Sequence, residues 1–200
     1  YFVAIRSGTT TTNRSTNGIS WSVAAGSPTA FTAQSKIAFG NGTFVAFSGT
    51  NSCRSTDAAN SWGSAVAMGL TTTHICFGNG LFVATNGGNV VTSPGGSSWS
   101  ATKTVTPSVT STNSFSFGNG LFYMTNATAW VGSWDNFDTT FTPPAPTGSG
   151  NIGCSAFINS SIIVLRGGPT ASRAFVGVNY NASTQFVLPS AIAPDIKSWI

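Results

Sequence analysis

The chain has 200 residues, of which only 6% are charged: eight Lys and Arg against four Asp, no Glu and one His, for a net charge of +4. About 25% charge is ordinary for a soluble domain, yet 40% of this chain is hydrophobic, with 15 Phe and six Trp, too apolar for a disordered chain. The basic residues stand singly, which excludes the basic stripe of a nucleic-acid binder, and no apolar run reaches the ~18 residues of a membrane-spanning helix.

Helix formers are scarce, and β-branched and aromatic residues are interleaved with Ser, Thr, Asn and Gly, so the expected class is all-β. From the N terminus, Tyr1-Phe-Val-Ala-Ile5 reads as a strand and Ser15-Thr-Asn17-Gly18-Ile-Ser-Trp21 as a turn leading to an aromatic. Lys36-Ile-Ala-Phe39 then runs into Gly40-Asn41-Gly42, a signal for a two-residue type I′ hairpin because Asn-Gly adopts positive φ readily. Thr43-Phe-Val-Ala-Phe47 leaves that turn. A third strand ends in Ser55-Thr-Asp57, where a short polar side chain can bond its own backbone two residues on. Trp62 is expected to open a fourth strand over 61–66.

The same order returns down the chain. Phe39-Gly-Asn-Gly42 recurs as Phe77-Gly-Asn-Gly80 and Phe117-Gly-Asn-Gly120, with a worn copy at Phe157-Ile-Asn-Ser160. The polar turn recurs at Ser93 running to Trp99, at Ser133-Trp-Asp135 running to Phe141, and at Asn179-Tyr-Asn181 running to Phe186. Both landmarks keep a period of about 40 residues with four short antiparallel strands per copy, the pattern of a β-propeller blade. The expectation is a single β-propeller domain over 1–200 with five four-stranded blades: 1–30 plus 195–200, 31–70, 71–108, 109–148 and 149–192. The first copy lacks its opening strand, and 195–200 has the alternation to supply it by pairing with 1–5, closing the ring and removing an exposed edge. The alternative is an arc of a six- or seven-bladed ring.

The Ser-x-Asp-x-x-x-x-Trp frame resembles the Asp-box, or BNR repeat, of sialidases and many non-enzymatic propellers. Phe-Gly-Asn-Gly-x-Phe-Val-Ala ahead of such a turn is similar to tandem repeats of bacteriophage virion proteins in tails, fibres or capsid-associated components. The resemblance implies a propeller and a virion setting; its motifs describe blade architecture rather than chemistry. Only Asp57 and Asp135 keep the acid of the box, with Asn17, Gly95 and Asn181 in its place elsewhere, which argues against a metal or catalytic role. Sialidase chemistry requires a Tyr–Glu nucleophile pair, and this chain has no Glu. A glycosidase carboxylate pair would have to come from Asp57, Asp135, Asp138 and Asp195, two of which sit in turns. No enzyme, no cofactor and no metal is expected.

His74 and Cys76 lie two apart on one strand and so share a face, the layout of a Cys–His nucleophile. Ordinary strand alternation produces the same spacing, and the expectation is a channel-lining His74. Cys53, Cys76 and Cys154 have neither zinc nor disulfide spacing and read as buried thiols. Arg6 and Arg166 fall at one repeat position with Arg173 on the loop beyond, a candidate partner-binding rim for an acidic protein or a carboxylated glycan. Arg14 and Arg54 share the position before the Ser of the box. The expected function is a non-enzymatic virion module within a symmetric assembly, contacting other virion proteins or a host-surface glycan. The alternative is a secreted or surface-displayed carbohydrate-binding adhesin or lectin, although a lectin would repeat its binding residues in every blade.

Overall fold

A computed structural model describes residues 1–6, 9–26, 36–109, 112, 114–126 and 129–142, together with the backbone of strands over 151–158, 161–167, 173–178 and 185–187. The chain divides into two compact units, Tyr1–Thr104 and Val105–Ile200. Among the described residues there is no helix, and the strands form five antiparallel sheets.

The first unit holds three of them. β1 (Phe2–Ile5), β2 (Thr12–Ser15) and β3 (Ser22–Val23) make a three-stranded meander; β4 (Lys36–Gly40), β5 (Thr43–Ser48), β6 (Asn51–Ser55) and β7 (Val66–Ala67) make a four-stranded one. β8 (His74–Gly78), β9 (Leu81–Thr85), β10 (Asn89–Ser93) and β11 (Lys103–Thr104) repeat the four-stranded order. In the second unit β12 (Ser114–Gly118), β13 (Leu121–Thr125) and β14 (Trp130–Ser133) form a sheet, extended by two hydrogen bonds between Gly132 and Phe141. The last sheet orders β15 (Asn151–Ile158), β16 (Ser161–Gly167), β17 (Arg173–Val178) and β18 (Gln185–Val187).

Local chemistry accounts for the hairpins. Asn41 and Gly42 (φ 46° and 71°), Asn79 and Gly80 (47° and 76°), and Asn119 and Gly120 (50° and 77°) all lie in the left-handed region demanded by a type I′ turn. The turn sets the register, so Phe39 faces Phe44, Phe77 faces Phe82 and Phe117 faces Phe122. Ring centroids in these pairs are 4.4, 4.9 and 4.6 Å apart, within the range where aromatic pairs add to simple burial.

The second strand of each of these three hairpins is buried on both faces, hence its unbroken apolar run. From β5, Val45 and Phe47 pack with Met68, Leu70, Ile75, Phe82, Ala84 and Val91, joining the second and third sheets. On the opposite face Ala46 and Cys53 pack with Ile37 and Trp62. Each such large apolar side chain, fully buried, stabilises by roughly 1.5–3 kcal/mol. The opening strands of successive sheets are neighbours, β4 beside β8 in the first unit and β12 beside β15 in the second.

Two elements differ from the sequence expectation or lie beyond it. The fourth strand of the second sheet is β7 alone, so Trp62 precedes it instead of opening it. Ser61 is held by Asp57, and Gly63 makes a single 2.9 Å rung to the Arg54 carbonyl, which keeps this stretch in the turn. The expected pairing of 195–200 with 1–5 lies outside the described residues.

Candidate functional site

The repeated polar residues converge in the turns that follow β2, β6, β10 and β14. In the second sheet the Ser55 hydroxyl donates to Asp57 Oδ1 (2.8 Å) and accepts the Ala59 N–H (2.9 Å). Asp57 in turn accepts the Ser61 N–H (2.9 Å) and hydroxyl (2.6 Å). The fourth sheet repeats the arrangement, with Ser133 bonding Asp135 and Phe137, and Asp135 accepting from the Thr139 N–H and hydroxyl. Asn17 closes a turn one residue shorter, its Oδ1 accepting the N–H groups of Ile19 and Ser20 at 2.9 Å. Ser93, followed by no acid, accepts the Gly96 N–H at 2.7 Å.

These bonds decide the electrostatics. The Ser61 hydroxyl, and then its N–H, hold the Asp57 carboxyl down at about 2 from an ordinary 3.8. The Thr139 hydroxyl acts first in lowering Asp135. Both carboxylates are ionised acceptors engaged in their own turns, a poor arrangement for proton transfer.

The turns are also joints between sheets. A Cβ on Gly96 would lie 2.6 Å from Val45 Cγ2, and the Trp99 indole donates to Ser52 Oγ across the joint at 2.8 Å. One sheet earlier, Gly26 lies so close to the Ala59–Asn60 backbone that a Cβ would meet the Asn60 carbonyl oxygen at 2.5 Å. Trp62 Nε1 and Thr12 Oγ1, at the repeat positions of Trp99 and Ser52, are buried without a hydrogen bond. The regular place of the Trp in the frame was visible in the sequence; its bond to a residue of the preceding copy was not.

The arginines separate into two groups. Arg14 lies over the Tyr1 ring, 4.5 Å from its centroid, and donates to Asn60 Oδ1 in the next sheet's turn. Arg54 donates to the Gly95 carbonyl of the following turn at 3.5 Å. Their shared position thus straps consecutive sheets. Arg6 is exposed at the end of β1, its carbonyl accepting the N–H and hydroxyl of Thr9. Arg166 and Arg173 are direct cross-strand partners on β16 and β17. Arg173 was expected on a loop; the antiparallel return of the chain sets it opposite Arg166 instead. Arg6 belongs to the first unit, and Arg166 and Arg173 to the second.

His74 opens β8, half-buried, with Nδ1 3.3 Å from Thr73 Oγ1. Desolvation pushes the Cys76 thiol well above its ordinary 9.0, and the Cys53 thiol to about 11, so neither supplies a thiolate at neutral pH. Cys53 and Cys76 are both free; nothing is described of the Cys154 side chain. Lys36 has the same repeat position on β4 as His74 on β8, and burial lowers its pKa. Among the described residues no three His, Cys, Asp or Glu side chains gather into a metal-sized group.

Meandering antiparallel sheets with neighbouring opening strands define a β-propeller type of fold, and solved structures agree. The chain is similar to the computationally designed Ika8 protein (TM-score 0.59, 8% identity, covering 86% of this chain and 57% of that one). It is similar to the WD40 β-propeller domain of Doa1 (TM-score 0.58, 11% identity, covering 86% and 60%). A structure of YCF48 bound to D1 peptide matches with a TM-score of 0.56 at 14% identity, covering 80% and 59%. This chain therefore spans less than two thirds of the length of each of these three. No protein-family model and no curated protein sequence matches it.

Proposed function

We propose that this chain is a non-enzymatic β-propeller module of a phage virion, in a tail, fibre or capsid-associated position, working through protein–protein or host-surface contact. The observation that carries the reading is the Ser-x-Asp turn: its regularly spaced polar groups are consumed in backbone bonds and sheet joints, leaving no repeated reactive group among the described residues. The 6% charge suits a surface covered by neighbouring subunits. The peptide held by YCF48 supports contact with polypeptide as a use for such a scaffold. In this reading the five copies are blades of one ring, with 195–200 pairing beside 1–5 to complete the first blade. Arg6, Arg166 and Arg173 form the partner-binding rim.

The test is copurification of the chain with intact particles at fixed stoichiometry; a chain found only free of particles removes the virion reading. Replacing Arg6 and Arg166 by Ala should weaken partner capture, and unchanged capture would remove the rim. A carbohydrate-binding adhesin or lectin is the second reading. It is favoured by the exposed Trp134, stacked on Phe141 at 5.6 Å and 13°, an aromatic platform of the kind that sugars stack on. A glycan array separates the two, because sugar binding abolished by Trp134→Ala would favour the lectin.

A further inference from the structure

We infer that the turn after β10 is a carboxylate site: an Asp or Glu side chain of a partner polypeptide takes the place that Asn17 Oδ1 fills in the turn after β2. The inference rests on the protein-contact reading above for the kind of partner, and on the turn alone for the site.

The two turns match residue for residue. Ser15, Asn17, Gly18, Ser20 and Trp21 correspond to Ser93, Gly95, Gly96, Ser98 and Trp99. Gly18 and Gly96 share a left-handed φ of 74° and 73°, and each donates its N–H to the Ser hydroxyl, at 2.9 and 2.7 Å. In the first turn three donors converge on one oxygen: the Ser15 hydroxyl at 3.0 Å and the Ile19 and Ser20 N–H groups at 2.9 Å all reach Asn17 Oδ1. In the later turn Gly95 brings no side chain. Its three equivalent donors, the Ser93 hydroxyl and the Ser97 and Ser98 N–H groups, have no acceptor among the described residues. Ser93 is fully buried, so a hydroxyl that only accepts leaves its own hydrogen unsatisfied. Ser97 and Ser98 are exposed, which leaves the place open to a group from outside.

Charge selects that group. A Cβ on Gly95 would lie 3.7 Å from Arg54 Nη1, so an acceptor seated here sits beside a guanidinium. Arg54 is exposed, and its 3.5 Å bond to the Gly95 carbonyl engages only Nη1, leaving the rest of the fork to an anion. Backbone N–H groups beside an Arg suit a carboxylate better than a neutral amide. The other copies supply the precedent within the chain. Asp57 and Asp135 set a carboxylate at this box position, accepting from the Ser55 and Ser133 hydroxyls at 2.8 and 2.9 Å and from the Ser61 and Thr139 N–H groups at 2.9 and 2.8 Å. The ligand is therefore an acidic side chain, and a chain of net charge +4 with no Glu draws it from an acidic partner.

The experiment titrates the full chain with N-acetyl-aspartate amide and follows the Ser97 and Ser98 amide resonances by NMR. Saturable shifts are expected, with affinity about tenfold or more weaker for N-acetyl-asparagine amide and for the Arg54→Gln chain. Gly95→Asp supplies the carboxylate from within and should abolish binding. Its φ lies outside the left-handed region and its Cβ meets nothing closer than ordinary contact, so this variant keeps the fold. Absence of saturable shifts, or binding unchanged by Gly95→Asp, overturns the inference. Tighter binding of glucuronate or inorganic phosphate overturns the polypeptide carboxylate as occupant. Binding that appears only after Asp138→Asn or Asp195→Asn also overturns it, because the occupant is then the chain's own. Copurification with particles is read separately: chains that join particles yet bind no aspartate remove this inference alone, and aspartate binding by chains never found on particles removes only the virion reading.

Discussion

Ala58 and Ala59 (φ 56° and 68°), and Asn136 and Phe137 (59° and 68°), lie in the left-handed region in the two turns that keep an Asp. Gly18 and Gly96 take that region in the other two described turns. The Asp turn is one residue longer, and its Ser hydroxyl holds the second left-handed N–H, so hydrogen bonding offsets backbone strain of roughly 1–2 kcal/mol per residue. Ala58→Gly should therefore raise stability by up to about 1 kcal/mol, read as a higher urea midpoint at unchanged slope. A lower midpoint would show that Ala58 contributes packing that outweighs the strain. The carboxylates predict a pH dependence. Asp57 is lowered to about 2 in the folded chain, so its contribution is present above the unfolded value near 3.8 and is lost as pH falls toward about 2. Asp57→Asn should thus separate from the parent chain at pH 7 and converge with it at about pH 2; a stability gap independent of pH would exclude an ionic origin. Asp57 is largely exposed, so solvent screening keeps the gap small.

At the scale of elements, the hairpins were legible because one dipeptide dictates each of them: Asn-Gly fixes the turn, and the turn fixes which Phe faces which. The joints were legible only as regular positions. Gly40 looked like a turn residue, yet its φ lies outside the left-handed region and its necessity comes from the Phe77 ring of the next sheet. Gly40→Val should destabilise by about 2–3 kcal/mol through overpacking, measured by chemical denaturation; a neutral effect would mean the joint relaxes freely. The two box tryptophans make a sharper comparison. Trp99→Phe breaks the 2.8 Å bond to buried Ser52 and should cost about 1–2 kcal/mol beyond the change in packing. Trp62→Phe removes a donor that has no acceptor and should cost less. The reverse order would show that Trp62 and Thr12 are joined through bound water.

For the whole molecule, sparse charge makes a direct prediction. Between 0.05 and 0.5 M NaCl the thermal midpoint should move by less than about 2 °C, because few exposed charge pairs exist for salt to screen; a larger shift would point to an ionic network. The β-class, the period of about 40 residues and the hairpin turns were all determined by the sequence alone, since each depends on residues close together along the chain. Only the tertiary structure decided that Arg14 and Arg54 strap neighbouring sheets, that Trp99 bonds back to Ser52, and that Phe77 packs on Gly40 of the preceding sheet. Those contacts join residues about one repeat apart, and local pattern carries no record of which partner a side chain meets once the sheets stack.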